Sequence, residues 1–323
     1  MLLVLLTLLM SGLTAQNALP QVSPRPLKVS AIKKLEVPPF GAFGQTHCDD
    51  DLSMYDHLAT GSYKQTVILH TALSGNESTL YKLPEEFADS TAFMDFSVTP
   101  DGNVTALVED EQGHSIRFDF DSEGKVSSHA QLDLPDQVAG DKIAVFPNGT
   151  MLFSGHYRRG APSDVKGKRY LGLFQSSGKL LRRVNETGMG DIDLDPPAHH
   201  ISEGAVTIGK DANAYLLGPD KVYVISASGL ILKKIQIGKP DGGFSAIELR
   251  YSEGLLVISF AKQGEHEAIF QYLVVNASTG EPLGLYAPTE ETGNNNVCFS
   301  RRQGFLFVTV KDNRLNLITA PIR

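Results

Sequence analysis

Residues 96–110 read FSVTPDGNVTALVED, an apolar run, a Pro-Asp-Gly-Asn turn and a second apolar run. A lone DGN triplet has three readings: a hairpin turn, a fragment of a calcium loop, or one copy of a repeated unit. Glycine and asparagine take the positive φ that a tight hairpin demands, so the local chemistry alone favours a turn. The rest of the chain decides what the turn belongs to.

The stretch has relatives. KIAVFPNGTMLFSG (residues 142–155), AIELRYSEGLLVISF (246–260) and NVCFSRRQGFLFVTV (296–310) share its plan of strand, turn and apolar strand. GAVTIGKDANAYLLG (204–218) is a further copy, with Asn213 near the glycine position. The weakest is HCDDDLSMYDHL (47–58), where Asp51 is followed by Leu52 at the place of the glycine. A second turn follows the first five copies, at Gly75, Gly124, Gly178, Gly229 and Gly280, spaced 49, 54, 51 and 51 residues apart. A fixed period of this size is the mark of a repeat architecture.

The runs between turns are short and rich in Val, Ile, Phe, Tyr and Leu, and no helical period is sustained, so the chain is read as all-β. TMLFSG, LLVISF, FLFVTV and AYLLG are apolar on both faces. A strand buried on both faces lies in a sheet packed between two other layers. A two-sheet sandwich would leave its outer faces polar. A ring of small radial sheets produces the observed pattern, which predicts a β-propeller with four antiparallel strands per blade. About 308 residues at a period of roughly 51 give six blades. The sixth copy ends one strand short, at NRLNLITAPIR, and LKVSAIKKLEVP (27–38) matches the outer strands KLLRRVNE and LILKKIQIG. The N-terminal strand is therefore expected to complete the last blade, giving a propeller over residues 27–323.

The strand–(D/N)G–strand unit with its "GK" turns, at Gly124-Lys125 and Gly178-Lys179, resembles the NHL-repeat group of six-bladed propellers. It is more loosely similar to the gluconolactonase and paraoxonase-like propellers. The resemblance implies architecture; such folds host enzymes, ligand binders and docking platforms alike. The chain contains no Trp, so no WD dipeptide supports the WD40 variety.

The whole chain bounds the function. Its 323 residues carry a formal net charge of −8, which argues against a nucleic-acid partner, since phosphate binding wants a basic patch. MLLVLLTLLMSGLTAQ opens with an apolar run too short to span a bilayer but suited to a secretory signal, with cleavage after Ala15. Residues 1–15 are thus expected to be a signal peptide and residues 16–26, with three prolines, a mobile leader. A secreted or periplasmic monomer without a membrane span follows. Cys48 and Cys298 are the two cysteines; a bridge between them and two separate buried thiols both stay open, with the thiols as the default.

Sites are sought first by motif. Asp191-Ile-Asp-Leu-Asp195 fails as an EF-hand, because Pro196 and Ser202 stand where glycine and glutamate are needed. His199-His200 and Asp49-Asp50-Asp51 lack metal-ligand spacing, no Gly-x-Ser-x-Gly elbow occurs, and neither cysteine has a convincing histidine partner. The N-x-S/T matches at Asn76, Asn103, Asn148, Asn185 and Asn276 mark surface turns. Position says more. The segments leading into the innermost strands of a propeller ring one mouth of its channel, and here they carry His200, Glu203, Asp241, Asn295 and Asn296, with Asp89 and Asp141. Glu203, Asp241, Asn295 and Asn296 are a chemically suitable Ca2+ set, against the alternative of hydrophilic turn caps. The expectation is an exported, non-enzymatic propeller binding a protein, peptide or glycan through its face loops. A calcium-dependent hydrolase or lactonase at the channel mouth is the alternative, and a redox or lyase propeller a third.

Overall fold

A computed structural model of the protein describes residues 23–36, 42–49, 52–59, 66–72, 78–88, 91–158, 160–163, 168–184, 206–218, 220–265, 267–290, 292, 297–311 and 314–322. Two short strands come first, β1 (Arg25–Pro26) and β2 (Ala31–Glu36). Blade 1 holds β3 (Ala42–Cys48), β4 (Met54–Ala59), β5 (Thr66–Thr71) and β6 (Ser78–Lys82), followed by the single-turn helix α1 (Glu85–Ala88). Blade 2 holds β7 (Thr91–Val98), β8 (Val104–Asp110), β9 (Ser115–Phe120) and β10 (Val126–Gln131). Blade 3 holds β11 (Val138–Val145), β12 (Met151–Tyr157), β13 (Arg169–Phe174) and β14 (Leu180–Arg183). Blade 4 holds β15 (Val206–Ile208), β16 (Ala214–Leu217), β17 (Lys221–Ile225) and β18 (Ile231–Gln236). Blade 5 holds β19 (Ser245–Ser252), β20 (Leu255–Gln263), β21 (Ala268–Asn276) and β22 (Pro282–Ala287). Blade 6 holds β23 (Val297–Ser300), β24 (Gly304–Lys311) and β25 (Arg314–Ala320).

The sixth blade is completed from the other end of the chain. β2 pairs antiparallel with β25, from Ala31 opposite Thr319 to Glu36 opposite Arg314. The architecture is the six-bladed propeller that the repeat predicts. The innermost strands β3, β7, β11, β15, β19 and β23 touch in turn around the ring. β1 adds in parallel to the outer edge of blade 5, with Arg25 opposite Tyr286. Leu27, just beyond, is buried among Tyr286, Phe305 and Ile318, so residues 25–27 are seated across the seam of blades 5 and 6. Residues 1–22, which include the expected signal peptide and most of the expected leader, lie outside the described residues.

The reason for two-faced apolar strands is visible in the core. Among the described residues the buried apolar side chains form six clusters, and each draws on two adjacent blades. Burial at about 25 cal/mol per Å² of apolar surface makes every seam a core in its own right. Among the described residues the seam of blades 6 and 1 holds Leu52, Met54, Cys298, Leu306, Val308 and Leu317. A Cys48–Cys298 disulfide closes that seam, with Cα atoms 5.8 Å apart across a sequence separation of 250. The default of two separate thiols is thereby corrected: ring closure brings the first and last innermost strands side by side, which sequence spacing does not show.

The turns follow their chemistry, with two instructive departures. Gly102 of the opening stretch has φ +80°. In blade 4 the positive φ, +58°, falls on Ala212 rather than on Asn213, whose side chain instead bonds Asp211. In the weakest copy Leu52 itself adopts φ +61° while fully buried in the seam of blades 6 and 1. A left-handed leucine costs about 1–2 kcal/mol, and burying its side chain returns about as much or more. No described helix is long and apolar enough to cross a membrane.

Two outcomes test the closure. Cys48→Ser is expected to lower unfolding free energy by about 2–4 kcal/mol, measured by denaturant titration, and to abolish any further effect of reductant. A chain beginning at residue 42 exposes the β25 edge and should melt lower and aggregate sooner than the full chain.

Candidate functional site

The propeller has two unlike ends. The turns between first and second strands and between third and fourth strands lie at one end, the turn face. The loops between blades, and those between second and third strands, lie at the other, the loop face. The sequence expects the site residues at the loop face. His200, Glu203, Asn295 and Asn296 lie outside the described residues, as do Asp89, the loop of Asp191–Asp195 and His199. Asp241 is described and stands exposed in the turn that precedes β19. Among the described residues no three His, Cys, Asp or Glu side chains gather as a metal-binding group. Asp141, by contrast, is deeply engaged.

Inside the ring, the innermost strands carry charge. Arg250 on β19 donates to the Thr46 carbonyl on β3 at 2.6 Å and to Glu248 Oε1 at 2.6 Å. Blades 5 and 1 are not neighbours, so the guanidinium reaches past β23 across the channel. Opposite, Lys142 on β11 pairs with buried Asp95 on β7 at 3.5 Å, and Asp95 also accepts from the Ile143 amide at 2.7 Å. Burial raises the Asp95 pKa, with Lys142 and the amide bonds opposing it. Among the described residues, the channel thus holds cations paired with carboxylates.

Blade 1 contributes an unusual set of buried polar groups. Asp56 is fully buried, accepts from Thr46 Oγ1 at 2.5 Å, and has no partner at Oδ2. Its pKa is pushed up to about 6 by burial, against the Thr46 bond and Arg250. His47 is lowered to about 3 by burial and by the nearby charges of Arg250 and Lys142. His57 is lowered to about 4 by burial; its ring stacks on Phe93 at 4.0 Å and its Nε2 has no hydrogen-bond partner. His70, stacked on Tyr55 at 4.3 Å, is lowered as well. These imidazoles are structural: each serves as a neutral ring against an aromatic neighbour.

The second polar centre sits at the loop face of blade 3. Asp141 accepts from His156 Nδ1 at 2.9 Å and from Arg169 Nη1 at 2.7 Å. The pairing register shifts between Gly140 and Lys142, so Asp141 is the extra residue of a β-bulge. His156 and Arg169 face each other across β12 and β13. The Asp141 hydrogen bond raises the His156 pKa despite partial burial. The sequence places Asp141 in the segment leading into an innermost strand; the strand instead begins at Val138 and Asp141 is a bulge within it, because the pairing with β12 extends further than the apolar run KIAV. His156 and Arg169 were not legible in the sequence, because only the pairing register puts them beside it.

No family model matches the chain, and no curated protein is significantly similar to it. Solved structures are. A luciferin-regenerating enzyme is 10% identical, over 90% of this chain and 97% of that chain, with a TM-score of 0.52. The PQQ-bound aldose sugar dehydrogenase of Streptomyces coelicolor is 12% identical over 92% and 99%, with a TM-score of 0.47. YCF48 bound to D1 peptide is 10% identical over 94% and 99%, with a TM-score of 0.46. Likeness at this identity is likeness of fold.

Two measurements probe the polar interior. His57→Phe keeps the stack on Phe93 and removes a titrating ring. A histidine whose folded pKa is depressed contributes stability that is complete above pH 6.5 and is lost as pH falls through about 4. Asp56, raised to about 6, acts in the opposite sense, its contribution being lost as pH rises from 3.8 through 6. The variant and the parent should therefore differ by a constant amount above pH 6.5, and the variant should lose less stability between pH 6.5 and 4, measured by denaturation at stepped pH. Arg250→Met strands Glu248 and the Thr46 carbonyl in the channel and should cost about 1–3 kcal/mol at neutral pH.

Proposed function

We propose that the chain is an exported, non-enzymatic propeller that binds a protein, peptide or glycan through the loops of one face. One observation carries this reading: the channel is crossed by Arg250, whose guanidinium is bonded to Glu248 and to the Thr46 carbonyl, while Lys142 faces Asp95. Charges that are already paired in this way make a plug, and a plugged channel leaves recognition to the surrounding loops. The Cys48–Cys298 disulfide supports export, since such bridges persist in oxidising compartments. A propeller whose repeat is intact while its loops vary in length suits a rigid scaffold that presents binding loops.

The competing reading is a calcium-dependent hydrolase or lactonase using Glu203, Asp241, Asn295 and Asn296. It is decided by following lactone and ester hydrolysis, and the melting temperature, with calcium and then with chelator. The binding reading expects no hydrolysis and a melting temperature that neither addition moves. Hydrolysis that chelator abolishes, and that Glu203→Gln or Asn296→Ala also abolishes, sinks it.

A further inference from the structure

The inner hairpins of four blades can be aligned residue by residue, because each carries the same register shift. It falls between Phe43 and Thr46 in blade 1, Phe93 and Asp95 in blade 2, Gly140 and Lys142 in blade 3, and Ala246 and Glu248 in blade 5. The extra residue is Met94 in blade 2 and Ile247 in blade 5, but Asp141 in blade 3. At the position of His156 stand Ala59, Glu109 and Ala261. At the position of Arg169 stand Thr66, Ser115 and Phe270. The blade geometry therefore does not need a carboxylate, an imidazole and a guanidinium at these three places. Of these four blades, blade 3 combines them, and partial burial of three ionisable groups carries a desolvation cost.

The arrangement has a direction. Asp141 holds His156 at Nδ1, which leaves Nε2 as the outer corner of the ring, and among the described residues none bonds it. His156 keeps 42% of its side-chain surface exposed. His156, Ser154 and Leu152 share one side of β12, and Leu152 packs in the seam with blade 4. Below the imidazole, the fully buried hydroxyl of Ser154 has no hydrogen-bond partner. Around this corner Lys168 is exposed, and Arg158, partly exposed, pairs with Glu109 of blade 2. Among the described residues, His156, Arg158, Lys168 and Arg169 gather at one corner of a chain of net charge −8, where Asp141 and Glu109 pair with them.

We propose that His156 and Arg169, organised by Asp141, form the recognition subsite for a carboxylate side chain of an acidic peptide segment docking at the loop face of blade 3. The proposal rests on the binding reading above and names its partner chemistry. A cationic imidazole donates through Nε2 to the carboxylate, and the Arg169 charge beside it strengthens that bond. The hydrogen bond from Asp141 favours the protonated ring, and Arg169 and Arg158 oppose it. A sugar acid is the less suited occupant, because saccharide rings seek an open aromatic platform. The tyrosines of this corner are taken: Arg183 stacks over Tyr170 at 4.2 Å and donates to the Tyr157 hydroxyl at 3.1 Å.

The test uses the full chain and a fluorescently labelled hexaglutamate peptide, read by anisotropy at low and moderate salt near pH 6. Binding should weaken with salt and fall at least about tenfold in His156→Gln, the loss of one charge-assisted hydrogen bond. Arg169→Gln should weaken it too, and Lys125→Gln, on the turn face, should leave it unchanged. Melting curves show whether each variant is folded, and the His156 ring signals in an NMR titration should move on peptide addition even if Arg169→Gln is unstable. Absence of peptide binding overturns the proposal, as does equal binding by His156→Gln, or binding of oligogalacturonate in place of the peptide. Calcium-dependent hydrolysis, assayed separately, would remove the binding reading without touching the peptide result.

Discussion

Everything in this protein depends on closing the ring. A propeller blade is a twisted four-stranded sheet with two apolar faces, and it is stable only when both faces are covered. Five seams can form between blades that follow one another along the chain. The sixth joins the first blade to the last, with Leu52, Met54, Cys298 and Leu306 buried between them. Three devices converge there. β2 supplies the outer strand that blade 6 lacks, Cys48 is bonded to Cys298, and Leu52 keeps a left-handed backbone so that its side chain fills the gap. The disulfide closes a very long loop, the case in which a cross-link removes the most entropy from the unfolded chain.

Closure also explains where polar groups collect. Arg250 on blade 5 reaches the Thr46 carbonyl on blade 1, over the short inner strand of blade 6. Asp56, buried beside Thr46, lies on the same seam. The neutral histidines of blade 1 extend the pattern to the next seam, where they act as flat rings against Phe93, Phe96 and Tyr55. His47 and His57 make this blade lose stability as pH falls, and buried Asp56 acts in the opposite sense.

Against this scaffold, blade 3 stands apart. Its inner hairpin obeys the same register as blades 1, 2 and 5, yet places Asp141, His156 and Arg169 where they carry apolar, small or unrelated residues. In a repeat protein the fold is explained by what recurs. A costly feature absent from the other three aligned blades asks for another explanation, and the one we propose is recognition of an acidic segment.

The sequence by itself determined the class, the blade count and the closure strategy. Turn residues such as Gly102, Gly124 and Gly178 are local chemistry, and strands apolar on both faces report the presence of two packed neighbours without naming them. It also identified the N-terminal segment as an outer strand, since KKLE resembles its counterparts in composition. Only the tertiary structure decided that Cys48 and Cys298 are bonded, that Ala212 and not Asn213 carries the positive φ, and that Asp141 meets His156 and Arg169. The physical reason is common to all three. Hairpin turns and burial patterns are set by residues near in the chain, whereas a disulfide, a bulge register and a polar cluster are set by which strands lie side by side, and that is fixed only when the ring closes.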